Sequence, residues 1–182
     1  MIVKEVVQIG NPLLKEKSKI VKDIKSKKTK KIIQDLIDSA YHYNLAGMAA
    51  CQIGKDARIF ITQIRDTKYR KFKNPDPLRI YINPKILSFS KKQSVMYEGC
   101  GSVAYSKLFA PVKRPKEVLI EAFDEKGKKF KLKADSFLAR VIQHEYDHLE
   151  GIAFTEKIAD VKKIMSSGEY IEQKYLKKEK KA

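Results

Sequence analysis

The sequence contains no tryptophan, only two cysteines and no long apolar run. Two cysteines are too few for a framework of disulfide bonds, which excludes the class of small secreted scaffolds. No apolar stretch approaches the roughly 18 residues that a membrane span needs, and the N-terminal MIVKEVVQIG lacks the apolar centre of a secretory signal. We therefore expect a cytoplasmic protein that does not insert into a membrane.

Histidine is also scarce, yet two of the three histidines lie four positions apart in QHEYDHLEG. Side chains at this spacing project from one face of a helix, so His144 and His148 can reach the same metal ion. Glu145 lies beside the first of them, where a carboxylate can accept and deliver a proton. This HExxH pattern is typical of hydrolytic metal sites.

The length of 182 residues and the hydrophobic content of 43 % fit one compact domain without internal repeats. The net charge is +17, and lysines concentrate in runs such as KEKSKIVKDIKSKKTKK and KYLKKEKKA. Such an excess attracts polyanions, so an RNA-bearing partner is one interpretation and a lysine-rich, soluble surface is the other. Aromatic residues that would stack on bases are sparse in these runs, apart from Tyr69 and Phe72.

Hydrophobic spacing predicts one helix followed by antiparallel strands. Residues 1–20 are expected to be extended or in loops, and apolar residues recur at helical spacing over residues 29–43. Two strands are predicted over residues 57–64 and 79–87, the second interrupted at Pro84.

The segment NLAGMAACQIG, residues 44–54, consists largely of small residues that let another chain approach its backbone closely. Gly47 allows a tight turn or the approach of a ligand, and Gln52 offers a side-chain amide that can donate a hydrogen bond. Ordinary packing of an alanine-rich connection explains the same segment without a ligand.

A β-hairpin is predicted from residues 117–123 and 128–133, which flank the turn sequence DEKG. It leads directly into the helix that carries the two histidines. With Asp135 as the N-cap and Gly151 as the C′ residue, this helix is expected to span residues 136–150.

The third metal ligand decides which class of site this is. The metzincin pattern has a histidine six positions after the second histidine, but this chain has Phe154 there. A later glutamate, Glu169 or Glu172, is the alternative that would suit a metalloendopeptidase. Cys100 lies between two glycines in EGCGS, and its thiolate would complete a Cys-His-His site with one position open for water. That ligand set suits Fe(II), Zn(II), Ni(II) or Co(II).

Three segments of the chain together resemble the peptide deformylase family. AGMAACQ is similar to the family's GxGxAAxQ, EGCGS to EGCLS, and QHEYDHLEG to QHExDHLxG. The resemblance covers nearly the whole chain. Two positions depart from it, since Leu45 stands where the family usually has the first glycine of its first motif and Gly101 where it usually has leucine.

The resemblance implies an α+β fold, with antiparallel sheets around a central HExxH helix, an N-terminal helix and a basic C-terminal helix. It implies a catalytic domain over residues 1–157 and a basic helical tail over residues 158–182. In the family such a helix can dock on the ribosome where the nascent chain emerges, and residues 158–181 are expected to do the same. A monomer is expected.

The implied reaction is hydrolysis of the N-formyl group from the formyl-methionine of nascent peptides, which releases formate. One divalent ion, Fe(II) natively, is expected on three ligands: Cys100, His144 and His148. Glu145 would move the proton, while the Gln52 amide and the Gly101 N–H would stabilise the oxyanion. Glu98 is expected to be a buried acid paired with Arg114.

The methionine side chain is expected in an apolar pocket beside the HExxH helix. The predicted substrate contacts are Gly47, Gly101, Ser102, Phe137, Arg140 and Val141. The peptide would add as a strand along the sheet edge near Gly47 and Ser102. Arg140 is expected at the pocket rim with its head group in solvent. Core packing is the alternative explanation for Phe137 and Val141.

Two other classes of function stay open. One is a metalloendopeptidase with a glutamate as third ligand, and the other is a basic nucleic-acid or ribosome-binding module whose metal site is degenerate. Replacing Cys100 by serine separates the first from a deformylase, because only the deformylase ligand set needs the thiolate. Release of formate from a formyl-methionyl peptide separates the second.

Overall fold

The computed structural model describes residues 3–68, 71–72 and 75–176. Tyr69 and the lysine-rich end of the chain from residue 177 lie outside the described residues. The first helix, α1, spans Lys27–His42. It begins two residues before the predicted start because Ser26 caps it, accepting a hydrogen bond of 3.1 Å from the Thr29 N–H. Its apolar face is buried against the sheet.

Two antiparallel sheets form the body of the protein. The strands are β1 Gly47–Ala49, β2 Ile59–Ile64, β3 Asp76–Phe89, β4 Gln93–Gly99, β5 Leu108–Pro115, β6 Glu117–Phe123, β7 Lys129–Asp135 and β8 Met165–Ser166. The five-stranded sheet has the order β1-β2-β3-β6-β7, and the three-stranded sheet has the order β4-β5-β8. The predicted hairpin of β6 and β7 and the α+β class are therefore confirmed.

The predicted interruption of the second strand at Pro84 is wrong, because β3 continues through it. The pairing of β3 with β6 changes register between Ile82 and Lys85, so the missing N–H of proline falls at an irregularity of the ladder. The Pro84 carbonyl accepts hydrogen bonds of 3.3 Å from both Nε and Nη2 of the Arg58 guanidinium. The backbone around this proline is thus satisfied without ending the strand.

The second helix, α2, spans Ser136–Leu149 and packs on β1 and β2. Asp135 precedes it in extended conformation, and Gly151 follows its end with a φ of 74°. A Cβ at Gly151 would lie 2.5 Å from the Lys15 carbonyl oxygen, so a side chain is excluded there by contact as well as by conformation. The helix buries Ile142 and Leu149 in the core with Phe60 and Tyr81.

The C-terminal segment becomes helical later than predicted. Short 3₁₀ turns occupy Phe154–Lys157 and Val161–Lys163, β8 follows, and the helix α3 spans Ser167–Ile171 before one π-helical turn at Glu172–Leu176. A continuous helix from residue 158 is not formed, because Ile158 makes a β-bridge with Val112 and β8 pairs with β5. None of the helices in the described part of the chain has the length and apolar character needed to cross a membrane.

Candidate metal centre

The three predicted metal ligands meet where the end of β4 faces α2. His144 and His148 project from one face of the helix with their ring centroids 5.0 Å apart, and Cys100 directly follows β4. One ligand atom from each residue lies within 4.8 Å of the other two. The alternative ligands Glu169 and Glu172 belong to the C-terminal segment and are not part of this group.

The environment of Cys100 favours a thiolate. Its Sγ lies 3.2 Å from His148 Nε2 and accepts from the Ser102 N–H at 3.4 Å and from Gln52 Nε2 at 3.5 Å. Burial alone raises the pKa of this thiol, but the charges of His148 and His144 and hydrogen bonds from both rings lower the pKa well below its ordinary value. A buried anionic sulfur and two imidazoles together form a set of donor atoms that can bind a divalent cation.

Glu98 fixes the orientation of the His144 ring through its Nδ1 atom. Its Oε2 lies 2.9 Å from His144 Nδ1, which leaves Nε2 to face the metal site. Arg114 makes a two-pronged contact with the same carboxylate, at 2.7 and 2.9 Å, and reaches Asp147 through Nη1. Burial raises the pKa of Glu98, but hydrogen bonds from His144 and Arg114 lower it far more. The predicted Glu98 and Arg114 pair is confirmed.

The prediction that the Arg140 head group lies in solvent is wrong. Arg140 is 4 % exposed, and its Nη1 contacts Glu98 Oε1 at 2.8 Å and the Val112 carbonyl at 2.9 Å. Its Nη2 donates to the Ser94 carbonyl at 2.8 Å. A buried carboxylate and two strand carbonyls therefore draw the guanidinium inward, and sequence spacing gave no sign of these acceptors.

Glu145 is a buried carboxyl group beside the metal ligands. It is 4 % exposed, and its Oε2 has no hydrogen-bond partner within the described ranges. Burial raises its pKa to about 7. A Cβ at Gly47 would lie 2.7 Å from both Glu145 Oε1 and Val141 Cγ1, so only glycine lets β1 pass this close to the carboxylate.

The Gln52 amide is held in one orientation. Its Oε1 accepts from the Ala49 N–H at 2.8 Å, and its Nε2 donates toward Cys100 Sγ and, at 3.2 Å, to Ser102 Oγ. The amide nitrogen of Gln52 therefore points toward the metal ligand Cys100. The backbone of Gly101 is fixed by its carbonyl, which accepts a hydrogen bond of 2.9 Å from Gln8 Nε2. Nothing in the sequence around Gln8 indicates this contact, because its partner lies 93 residues away.

The two departures from the family motif contact each other. A Cβ at Gly101 would lie 3.2 Å from Leu45 Cδ1 and 3.4 Å from Val6 Cγ1. Leu45 also packs against the core cluster that contains Val6. A side chain at residue 101 would therefore meet Leu45 first.

A cavity of about 470 Å³ brings the site to the surface. Predicted site residues that line it are Gly47, Gln52, Cys100, Gly101, Phe137, Arg140, Val141, His144 and Glu145. Ser102 does not line this cavity. Its N–H donates to Cys100 and its carbonyl accepts from the Ile9 N–H at 2.7 Å, so both backbone groups already have partners in the protein. Gly47, in contrast, lies on the edge strand of its sheet.

The family model described as polypeptide deformylase matches residues 3–164. A peptide deformylase of Pelagibacter ubique is 38 % identical over 165 residues, covering 91 % of either chain. Peptide deformylase 1 of Clostridium perfringens is 39 % identical over 144 residues, covering 79 % of this chain and 90 % of that protein.

Solved structures agree with these sequence relatives. The Met-Ala-Ser-bound class I type b peptide deformylase of Acinetobacter baumannii superimposes with a TM-score of 0.79 at 27 % identity, covering 86 % of this chain and 99 % of that one. The peptide deformylase of Thermotoga maritima gives 0.75 at 29 % identity, covering 88 % and 100 %. On the match of the family model and the identity to these relatives, the chain belongs to the polypeptide deformylase family.

Proposed function

We propose that this chain hydrolyses the N-formyl group of peptides that begin with formyl-methionine, releasing formate and a free methionine amine. The observation that carries this proposal is a Cys-His-His ligand group beside the cavity, with Cys100, His144 and Glu145 in the cavity wall and no partner for Glu145 Oε2 among the described residues. A thiolate and two imidazoles fit a divalent ion, and we propose Fe(II) natively, with Zn(II), Ni(II) or Co(II) also accepted. Such an ion supplies a Lewis acid and makes water more acidic.

Glu145 acts as the proton carrier. Its pKa of about 7 lets it accept a proton from water near neutral pH and then deliver the proton to the departing amine. No other protein group competes for its Oε2 among the residues that the structure describes. The carboxylate is therefore available for water and substrate.

Gln52 and Gly101 stabilise the negative charge that develops on the formyl oxygen. The Gln52 amide is fixed by Ala49, and its donating nitrogen lies on the ligand side. The Gly101 backbone is anchored by Gln8 and can present its N–H beside Cys100. A donor of this kind typically contributes about 10²–10³ in kcat.

The peptide binds along the free edge of β1 and its methionine side chain enters the cavity. Gly47 belongs to this edge strand, and Phe137 and Val141 supply apolar lining from α2. Arg140 contributes from the cavity wall while its guanidinium stays bound to Glu98. The Acinetobacter baumannii relative binding Met-Ala-Ser supports a peptide of this type.

Formate release from formyl-Met-Ala-Ser tests the proposal. The protein is loaded with Fe(II) without oxygen, because oxidation of a thiolate ligand would inactivate it. Wild type should release formate, Cys100→Ser should lose metal and activity, and Glu145→Gln should retain metal but lose activity. Metal-loaded wild type that releases no formate would refute the proposal, and cleavage of internal peptide bonds instead would favour the metalloendopeptidase.

We further propose that the enzyme works in the cytoplasm as a monomer and meets nascent chains at the ribosome. The net charge of +17 and the lysine-rich C-terminal end support an interaction with RNA. Replacing Lys177, Lys178, Lys180 and Lys181 by glutamate should reduce co-sedimentation with ribosomes at low salt. Undiminished co-sedimentation would remove the C-terminal end from the interaction.

A further inference from the structure

The C-terminal segment is fixed to the sheet beside the metal centre. In β8, Met165 pairs with Phe109 and Ser166 with Leu108 of β5, and the Ser167 N–H donates to the Lys107 carbonyl at 2.9 Å. The Ser166 hydroxyl then caps α3. The start of α3 is therefore set by backbone pairing and not only by side-chain packing.

Aromatic contacts connect α3 to β5 and to β4, the strand that ends immediately before Cys100. The Tyr170 ring stacks on Phe109 with centroids 4.4 Å apart and planes inclined by 6°, and it contacts Tyr97 at 5.5 Å. A Cβ at Gly99 would lie 2.7 Å from the Phe109 ring, so this glycine gives Phe109 its place. Gly99 immediately precedes Cys100 in the chain.

The same segment lines part of the cavity onto which two of the metal ligands, Cys100 and His144, open. Tyr170, Ile171, Lys174 and Tyr175 line it together with Cys100, His144 and Glu145. Its volume of about 470 Å³ lies within the roughly 300–1,000 Å³ of pockets that enclose drug-sized ligands. The cavity therefore has room for more than one methionine side chain.

We propose that Tyr170, Ile171 and Tyr175 bind the substrate residues that follow formyl-methionine, and that they favour apolar side chains there. This inference rests on the proposed function and names a specificity surface for it. Tyrosine rings offer large, rigid contact faces at a small cost in side-chain entropy. The Tyr170 ring is already fixed by its stack on Phe109, so little order must be gained when a peptide binds.

Kinetics with two substrates that differ only after methionine test this proposal. Wild type, Tyr170→Ala, Tyr170→Phe and Val161→Ala are compared on formyl-Met-Leu-Phe and formyl-Met-Ser-Ser. Val161 is the matched control, since it belongs to the same C-terminal segment but is 68 % exposed and does not line the cavity. Thermal unfolding of each variant verifies that it is folded.

Tyr170→Ala should raise KM for the apolar peptide by about five- to tenfold more than KM for the serine peptide, the factor expected for a lost aromatic contact. Tyr170→Phe should restore the wild-type preference, and Val161→Ala should keep it. An equal change with both peptides, or a change in kcat alone, would overturn the proposal.

Calorimetric binding of the unformylated peptides Met-Leu-Phe and Met-Ser-Ser separates this inference from the proposed function. If wild type releases no formate yet binds Met-Leu-Phe more tightly than Tyr170→Ala does, the proposed function fails and the binding surface stands. If formate is released but Tyr170→Ala binds both peptides as wild type does, the binding surface fails alone.

Discussion

The contact between Leu45 and Gly101 predicts that the two motif departures depend on each other. Gly101→Leu places a Cβ 3.2 Å from Leu45 Cδ1, a contact that requires the neighbour to move, and three further carbons follow. Inserting a side chain into filled space costs about 1–3 kcal/mol. Leu45→Ala removes a partly buried side chain. It should lower the free energy of unfolding by roughly 1–2 kcal/mol, because less apolar area is buried on folding.

The double variant shows whether the side chains at residues 45 and 101 compete for the same space or act independently. If Leu45 occupies the space that a leucine at residue 101 would fill, then Leu45→Ala with Gly101→Leu should be less destabilised than the sum of the single variants by about 1–3 kcal/mol. Alanine is preferred to glycine at residue 45 because it removes the side chain without adding backbone freedom. Urea unfolding of the four proteins, equally loaded with metal, gives the coupling energy.

Additive free energies, within about 0.5 kcal/mol, would refute this reasoning. They would mean that the side chain introduced at residue 101 finds other space and that Leu45 serves the core alone. Steady-state kinetics on the same four proteins is the second measurement, because both residues line the cavity. The Gly101→Leu variant should lose activity in the wild-type background and recover part of it when Leu45 is alanine.

Three other perturbations of the metal centre have defined outcomes. Gly47→Ala places a Cβ 2.7 Å from Glu145 Oε1 and Val141 Cγ1, so steady-state kinetics should show a lower kcat/KM; an unchanged value would contradict the close approach of β1. Glu98→Gln removes the anionic partner of His144 Nδ1 and should weaken metal binding by about 10–100-fold in chelator competition, whereas a wild-type affinity would remove Glu98 from that role. Chelation of the ion should lower the unfolding temperature, because a bound ligand stabilises only the folded chain, and an unshifted temperature would argue against a preformed site.

The sequence was most informative where a property is local. The spacing of apolar residues, an Asp135 before the helix and a Gly151 after it predicted α2 within one residue of its observed end, and alternation around DEKG predicted the hairpin of β6 and β7. The HExxH spacing together with Cys100 predicted the ligand group because helical geometry alone brings the two histidines together.

Properties that depend on contacts between distant segments were not predictable. The burial of Arg140 could not be predicted from its helix, because its acceptors, Glu98 and the strand carbonyls, belong to β4 and β5. The helix start at Ser167 depends likewise on pairing of β8 with a strand about sixty residues earlier in the chain. The helical spacing of apolar residues in the C-terminal segment could not show that residues 165–166 would pair as a strand.

The charged groups around His144 form a buried network that fixes its ring. Glu98 holds His144 Nδ1 through a carboxylate that is itself buried, and a buried negative charge without a cationic partner would be costly. Arg114 and Arg140 both bind this carboxylate, and Arg114 also reaches Asp147. Glu98 therefore contacts the His144 ring while two guanidinium groups balance its negative charge.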